Sequence, residues 1–128
     1  MKIPFIPPSS NILELHKALH SSDVILDAIF GFSFKPPIRA PFDEILPILD
    51  SIRLPMVSVD IPSGWDVEKG NVLGVGLHPN VLISLTAPKE GVKDFRGKHF
   101  LGGRFVPKRV HNQQILPCVD FTDWIICP

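Results

Sequence analysis

At 128 residues the chain allows one domain, large enough for a core but small for a full α/β fold. Its 45% apolar and 20% charged residues are globular proportions, which argues against a disordered segment. Thirteen basic residues balance thirteen acidic ones, so there is no electrostatic footprint for nucleic acid or an anionic membrane surface.

Cys118 and Cys127, with eight residues between them, are too few for a disulfide framework and lack zinc-type spacing with histidine. Two free thiols in a reducing compartment fit them best. No apolar segment reaches the ~20 residues that span a bilayer. The first twenty residues hold no arginine and open on a proline-rich run, so no transit or secretory signal is visible. Fourteen prolines and nine glycines are scattered between apolar runs, with no internal repeat or linker. One loop-rich α/β piece is expected.

Residues 1–8 (MKIPFIPP) should be extended, because each proline disfavours helix in the residue before it. Ser9, Ser10 and Asn11 can cap a short helix on which Ile12, Leu15 and Leu19 share a face. His16 and His20 are spaced for a metal pair, but with no nearby acid or third ligand they read as surface histidines. A strand is expected over Val24–Phe30, carrying Asp27 within apolar surroundings. The loop after it, from Gly31 to Ala40, is rich in aromatics, prolines and cations. A loop at the carboxyl end of a strand often carries function, and equally serves as a plain crossover.

Pro41 suits a first helical turn, and Phe42, Ile45, Leu46 and Leu49 form the apolar stripe of a helix over 42–51 that contains Pro47. Met56–Asp60 reads as a strand buried on both faces, as in a parallel sheet. It ends in Asp60-Ile61-Pro62-Ser63-Gly64-Trp65-Asp66, and the chain turns sharply through Gly64 and Gly70. Val81–Leu85 is a third strand, followed by a polar turn or short helix leading to Lys98. Residues 99–107 read as strand, glycine turn, strand, and residues 111–128 as a tail docking on the body. With the strands parallel, Asp27 and Asp60 would meet on one rim, where open α/β sheets bind ligands.

The chain holds no GxSxG elbow, no Walker loop and no GxGxxG fingerprint. Asp27, Asp60 and Ser63 offer only oxygen, which suits a hard cation rather than zinc. Asp27 could equally accept bonds from loop amides with no ion present.

Five stretches together resemble the NAD(P)H-hydrate epimerase family, the YjeF N-terminal domain, whose animal members are also called apolipoprotein A-I-binding protein. They are Asp27-Ala28-Ile29-Phe30-Gly31, Pro41-Phe42, Val59 to Asp66, Ala87-Pro88-Lys89 and residues 101–107 (LGGRFVP). The resemblance runs in order from about Val24 to Val110, and is loose in the tail around Leu116-Pro117 and Thr122. It implies a three-layer, Rossmann-like α/β fold with a mainly parallel sheet, and epimerisation of the R and S forms of hydrated NADH and NADPH with potassium bound. It also implies that Asp27 and Ser63 are potassium ligands, that Asp60 is the catalytic acid or base, and that Asp60 with Gly31, Phe32, Ser33, Phe34, Lys35, Pro36 and Pro37 contacts the nucleotide.

Pro36 and Pro37 stand where the family's loop usually has a glycine and an acid. Lys35 could favour phosphate or an ionised neighbour, and equally be a solvated cation. The family's first strand and its Asn-Asn-Gly-Gly-Asp loop have no counterpart, so the chain reads as the second half of the domain, with residues 1–110 as that partial domain. A non-catalytic scaffold recognising an apolipoprotein-like protein partner is the rival reading. A homodimer is compatible with both, as is a cytoplasmic or mitochondrial location.

Overall fold

The computed structural model describes residues 3–7 and 12–102. The expected caps Ser9, Ser10 and Asn11, the strand after the glycine turn, and the tail 111–128 lie outside the described residues.

The element order is α1 (Ile12–His20), β1 (Ile25–Asp27), α2 (Phe42–Ser51), β2 (Met56–Val59), β3 (Val81–Leu85), a 3-10 turn at Glu90–Val92, and β4 (Lys98–Gly102). The strands form one sheet in the order β1-β2-β3-β4, every pair parallel. The expected α/β class with a parallel sheet therefore holds. Helix 42–51 and strand 81–85 fall where the hydrophobic periodicity puts them. β1 is shorter than expected, because the chain leaves the ladder at Asp27 and turns into the loop that leads to α2.

α2 shows how the sequence makes an element. Pro41 occupies the N-cap rather than the first turn, and its carbonyl accepts from Glu44 and Ile45. Asp43 and Glu44 place acids in the first turn, where the helix dipole favours them. Leu46 and Leu49 on its inner stripe are buried, and Phe42 and Ile45 pack beside them. With Leu19 of α1, Ile25 of β1, Met56 of β2 and Leu77 they close one core. A second core gathers Ile61, Trp65, Leu82 and Val92.

The expectation that the strands are buried on both faces is corrected. Burial alternates: Ile25 and Asp27 are buried while Leu26 between them is 67% exposed. β2 and β3 repeat the pattern, with Met56, Ser58, Leu82 and Ser84 buried and Val57, Val59, Val81 and Ile83 only half-buried. Topology explains this. Parallel strands joined in sequential order by crossovers of the usual right hand carry all their connections on one side of the sheet. Covering the other side needs a reversal of strand order, as in doubly wound sheets. Among the described residues there is no such reversal. Leu26, Val57, Val81, Val59, Ile83 and Phe100 therefore lie in register on a half-open face.

Candidate functional site

Parallel pairing sets Asp27 opposite Ser58, two residues before Asp60, so both acids leave the sheet at one rim. Both are buried, Asp27 to 1% exposure and Asp60 to 8%. A buried carboxylate is tolerated only when hydrogen-bonded, and each of these is.

Asp27 is the better enclosed. Its Oδ2 accepts from the Ser58 hydroxyl at 2.6 Å and from the Ser63 amide at 2.9 Å. Its Oδ1 accepts from the Ser63 hydroxyl at 2.6 Å and, more weakly, from the Ile29 amide at 3.4 Å. The Ser63 hydroxyl in turn accepts from the Phe30 amide at 3.0 Å. Asp27 thus ties the start of the 31–37 loop to the turn after β2. Its role as acceptor for loop amides, open from the sequence, is realised. The pair also fits a hard cation in kind: the donors are all oxygen, and a serine hydroxyl keeps a second lone pair when an amide uses the first.

Asp60 belongs to the rim itself. Its amide still bonds the β3 ladder at Ile83, and the chain then folds over it in a γ-turn, with the Ile61 amide on the Val59 carbonyl at 3.1 Å. Its φ is +74°. A non-glycine residue in that region costs roughly 1–3 kcal/mol, a strain that collects at functional sites. Asp60 Oδ2 accepts from the Phe32 amide at 2.8 Å, and Oδ1 accepts from the Lys89 ammonium. Gly31 permits the approach, since a Cβ there would stand 3.0 Å from Oδ2.

The 31–37 loop lies against Asp60 through that Phe32 amide. Phe34 stacks on Phe30 with centroids 4.4 Å apart, and Phe30 meets Phe42 edge-on at 5.1 Å. The Phe34 amide bonds the Gly31 carbonyl. Phe32 is left 71% exposed beside the carboxylate, and Ser33, Lys35 and Pro37 lie on the loop's solvent side. Pro36 is joined to Pro37 by a cis bond. Every site residue named from the sequence is therefore on this rim or on the loop that borders it. Lys89 was missed as a site residue. Its signal was a repeated pattern, a proline two residues beyond a strand-end polar residue, at Pro62 and again at Pro88.

A cavity of about 380 Å³ is lined by Ile52, Arg53, Leu54, Pro55, His78 and Asn80. Pro55 and Asn80 precede β2 and β3, so it opens at the amino ends of the strands, the wrong rim for an α/β ligand. His78 there pairs with Asp50 at 3.1 Å and joins α2 to the loop before β3.

Residues 4–91 match the family described as YjeF-related protein N-terminus. The chain belongs to that family. This YjeF-type chain is 56% identical over 113 residues to the NAD(P)H-hydrate epimerase of Puccinia graminis f. sp. tritici, covering 86% of the chain and 47% of that protein. It is 46% identical over 121 residues to the NAD(P)H-hydrate epimerase of Paramecium tetraurelia, covering 91% and 52%. Among solved structures it is similar to the crystal structure of yeast ynu0, YNL200c. There the TM-score is 0.69 at 45% identity, over 74% of the chain and 41% of the yeast chain. The YjeF-type chain thus spans about half the length of the curated relatives it matches.

Proposed function

We propose that the chain carries the acid–base rim of an isomerase that interconverts the R and S epimers of hydrated NADH and NADPH. The single observation that carries the reading is the Asp60 carboxylate, buried at the carboxyl rim and bonded to the backbone of the 31–37 loop. The names of the relatives, NAD(P)H-hydrate epimerase, support the substrate class.

The chemistry suits a carboxylate. Carbon 6 of the hydrated nicotinamide bears a hydroxyl beside the ring nitrogen, a carbinolamine. The nitrogen lone pair expels the hydroxyl, and water returning to the opposite face gives the other epimer. A carboxylate within reach handles the proton, an effect usually worth ~10²–10⁴-fold. Phe32, exposed on the loop, offers a face on which a nucleotide ring can stack, and Lys35 beyond it offers charge to a phosphate.

Asp27 and Ser63 would hold a potassium ion, which when bound supplies fixed positive charge at the rim. Their oxygen-only donor set supports the assignment. The chain by itself should turn over poorly. It spans about half of its relatives' length, and orientation depends on many contacts at once. Asp60→Asn in a complete domain, assayed with hydrated NADH, tests the reading: epimerisation should fall ~10²–10⁴-fold while nucleotide binding is largely kept. Normal turnover by that variant would remove the acid–base assignment.

A further inference from the structure

Two strand ends in this sheet are built alike. β2 exits through Asp60-Ile61-Pro62-Ser63, and β3 exits through Thr86-Ala87-Pro88-Lys89. In each, the first residue has positive φ, +74° at Asp60 and +68° at Thr86. Each is the centre of a γ-turn, closed by Ile61 on Val59 at 3.1 Å and by Ala87 on Leu85 at 2.8 Å. In each, the third residue is proline and the fourth reaches back to the acid where the preceding strand exits. Ser63 reaches Asp27, and Lys89 reaches Asp60. The contact of Lys89 with Asp60 is thus the second use of one backbone device, set by where two prolines and two γ-turns aim the chain. The pair is well enclosed, with side chains 17% exposed for Lys89 and 11% for Asp60.

We propose that Lys89 is a positioning residue that holds Asp60 as a carboxylate facing the reacting ring; the inference rests on the reading of Asp60 given above. The ammonium has three protons. Its partners are Asp60 Oδ1, the Leu85 carbonyl at 2.8 Å and the Ala87 carbonyl at 3.2 Å. With all three spent, Lys89 has none to aim at a substrate phosphate and acts through Asp60. Asp60, accepting from Lys89 and from the Phe32 amide, enters the reaction as an anion.

The sequence of events balances on that basis. The bond from carbon 6 to oxygen breaks with its pair on the departing hydroxide, while the ring nitrogen lone pair forms a carbon–nitrogen double bond. The cation so formed is stabilised by the carboxylate beside it. Water adds to the other face and gives its proton to Asp60, which passes it to the hydroxide. One water enters and one leaves, and Asp60 is again a carboxylate.

The test uses the full 128-residue chain, hydrated NADH and two variants. Lys89→Met should lower kcat about 10–10²-fold with KM nearly unchanged. Lys89→Arg, which keeps a charged donor, should recover much of that loss. Amide exchange at Phe32, whose N–H rests on Asp60 Oδ2, should quicken in Lys89→Met and stay slow in Lys89→Arg. This readout needs no turnover, so it decides alone if the rate is too low to divide into kcat and KM. Unchanged Phe32 exchange in Lys89→Met overturns the proposal, as does an unchanged kcat. Normal turnover by Asp60→Asn would instead overturn the reading of Asp60, whatever Lys89 does.

Discussion

Ser63 holds Asp27 twice, through its amide at 2.9 Å and its hydroxyl at 2.6 Å, across 36 positions of sequence. The two strand ends are locked by that contact, and its removal should be felt in stability before it is felt in chemistry. Asp27→Ala orphans the buried donors of Ser58 and Ser63, at about 1–3 kcal/mol for each unsatisfied group. Three donors are involved, the Ser58 hydroxyl and the Ser63 amide and hydroxyl, so a loss of at least about 3 kcal/mol in urea unfolding is expected. If Asp27 is also a potassium ligand, replacing sodium by potassium should raise the melting temperature of the parent chain and leave that of Asp27→Ala unmoved.

Gly64 follows that lock and cannot be replaced cheaply. Its φ is +91°, and a Cβ there would stand 2.7 Å from the Gly76 Cα and 3.2 Å from Ile38 Cδ1. The left-handed backbone costs an alanine roughly 1–2 kcal/mol, and forcing the backbone of Gly76 away adds about 1–3. Gly64→Ala should lose about 2–5 kcal/mol in urea unfolding. A loss below half a unit of that scale would show that the turn can open.

His99 on β4 bonds the Ser84 hydroxyl at 2.8 Å and meets the edge of Phe95 at 6.0 Å. Burial pushes its pKa below the ordinary value of 6.5. The unfolded chain therefore takes up this proton more readily than the folded one. Stability is full above pH 6.5, falls as pH drops from there to the lowered folded pKa, and levels off below it, where both states are protonated. His99→Gln should flatten that slope. Urea midpoints for parent and variant across this range measure it, and parallel curves would contradict it.

The half-open face of the sheet should make the isolated chain associate. Leu26, 67% exposed on β1, adjoins the row of Val57 and Val81, and contiguous apolar surface of this kind draws partners. Leu26→Lys should reduce self-association in sedimentation velocity while changing unfolding stability by less than about 0.5 kcal/mol, since an exposed side chain gains little from burial. Association unchanged by the substitution would place the contact elsewhere.

Local chemistry made much of this protein legible. α2 could be drawn from its apolar stripe and β2 from the run that closes at Asp60, whereas β1 was drawn past Asp27 to Phe30 because the apolar residues continue beyond the acid. Asp27, Asp60 and Ser63 stood out because polar groups at the close of apolar runs must find partners or solvent. What a linear reading could not supply was direction. Whether Asp27 faced an ion or loop amides depended on a register that brought Ser58 and Ser63 beneath it. Lys89 lies 29 positions from the acid it holds. Its pairing needed two γ-turns, whose positive φ leaves no mark except the proline repeated two residues beyond Asp60 and Thr86, at Pro62 and Pro88. The burial of the strands on both faces was misread for the same reason. Alternation and continuous apolarity look alike in strands of three to five residues. Only the strand order decides on which side the crossovers fall.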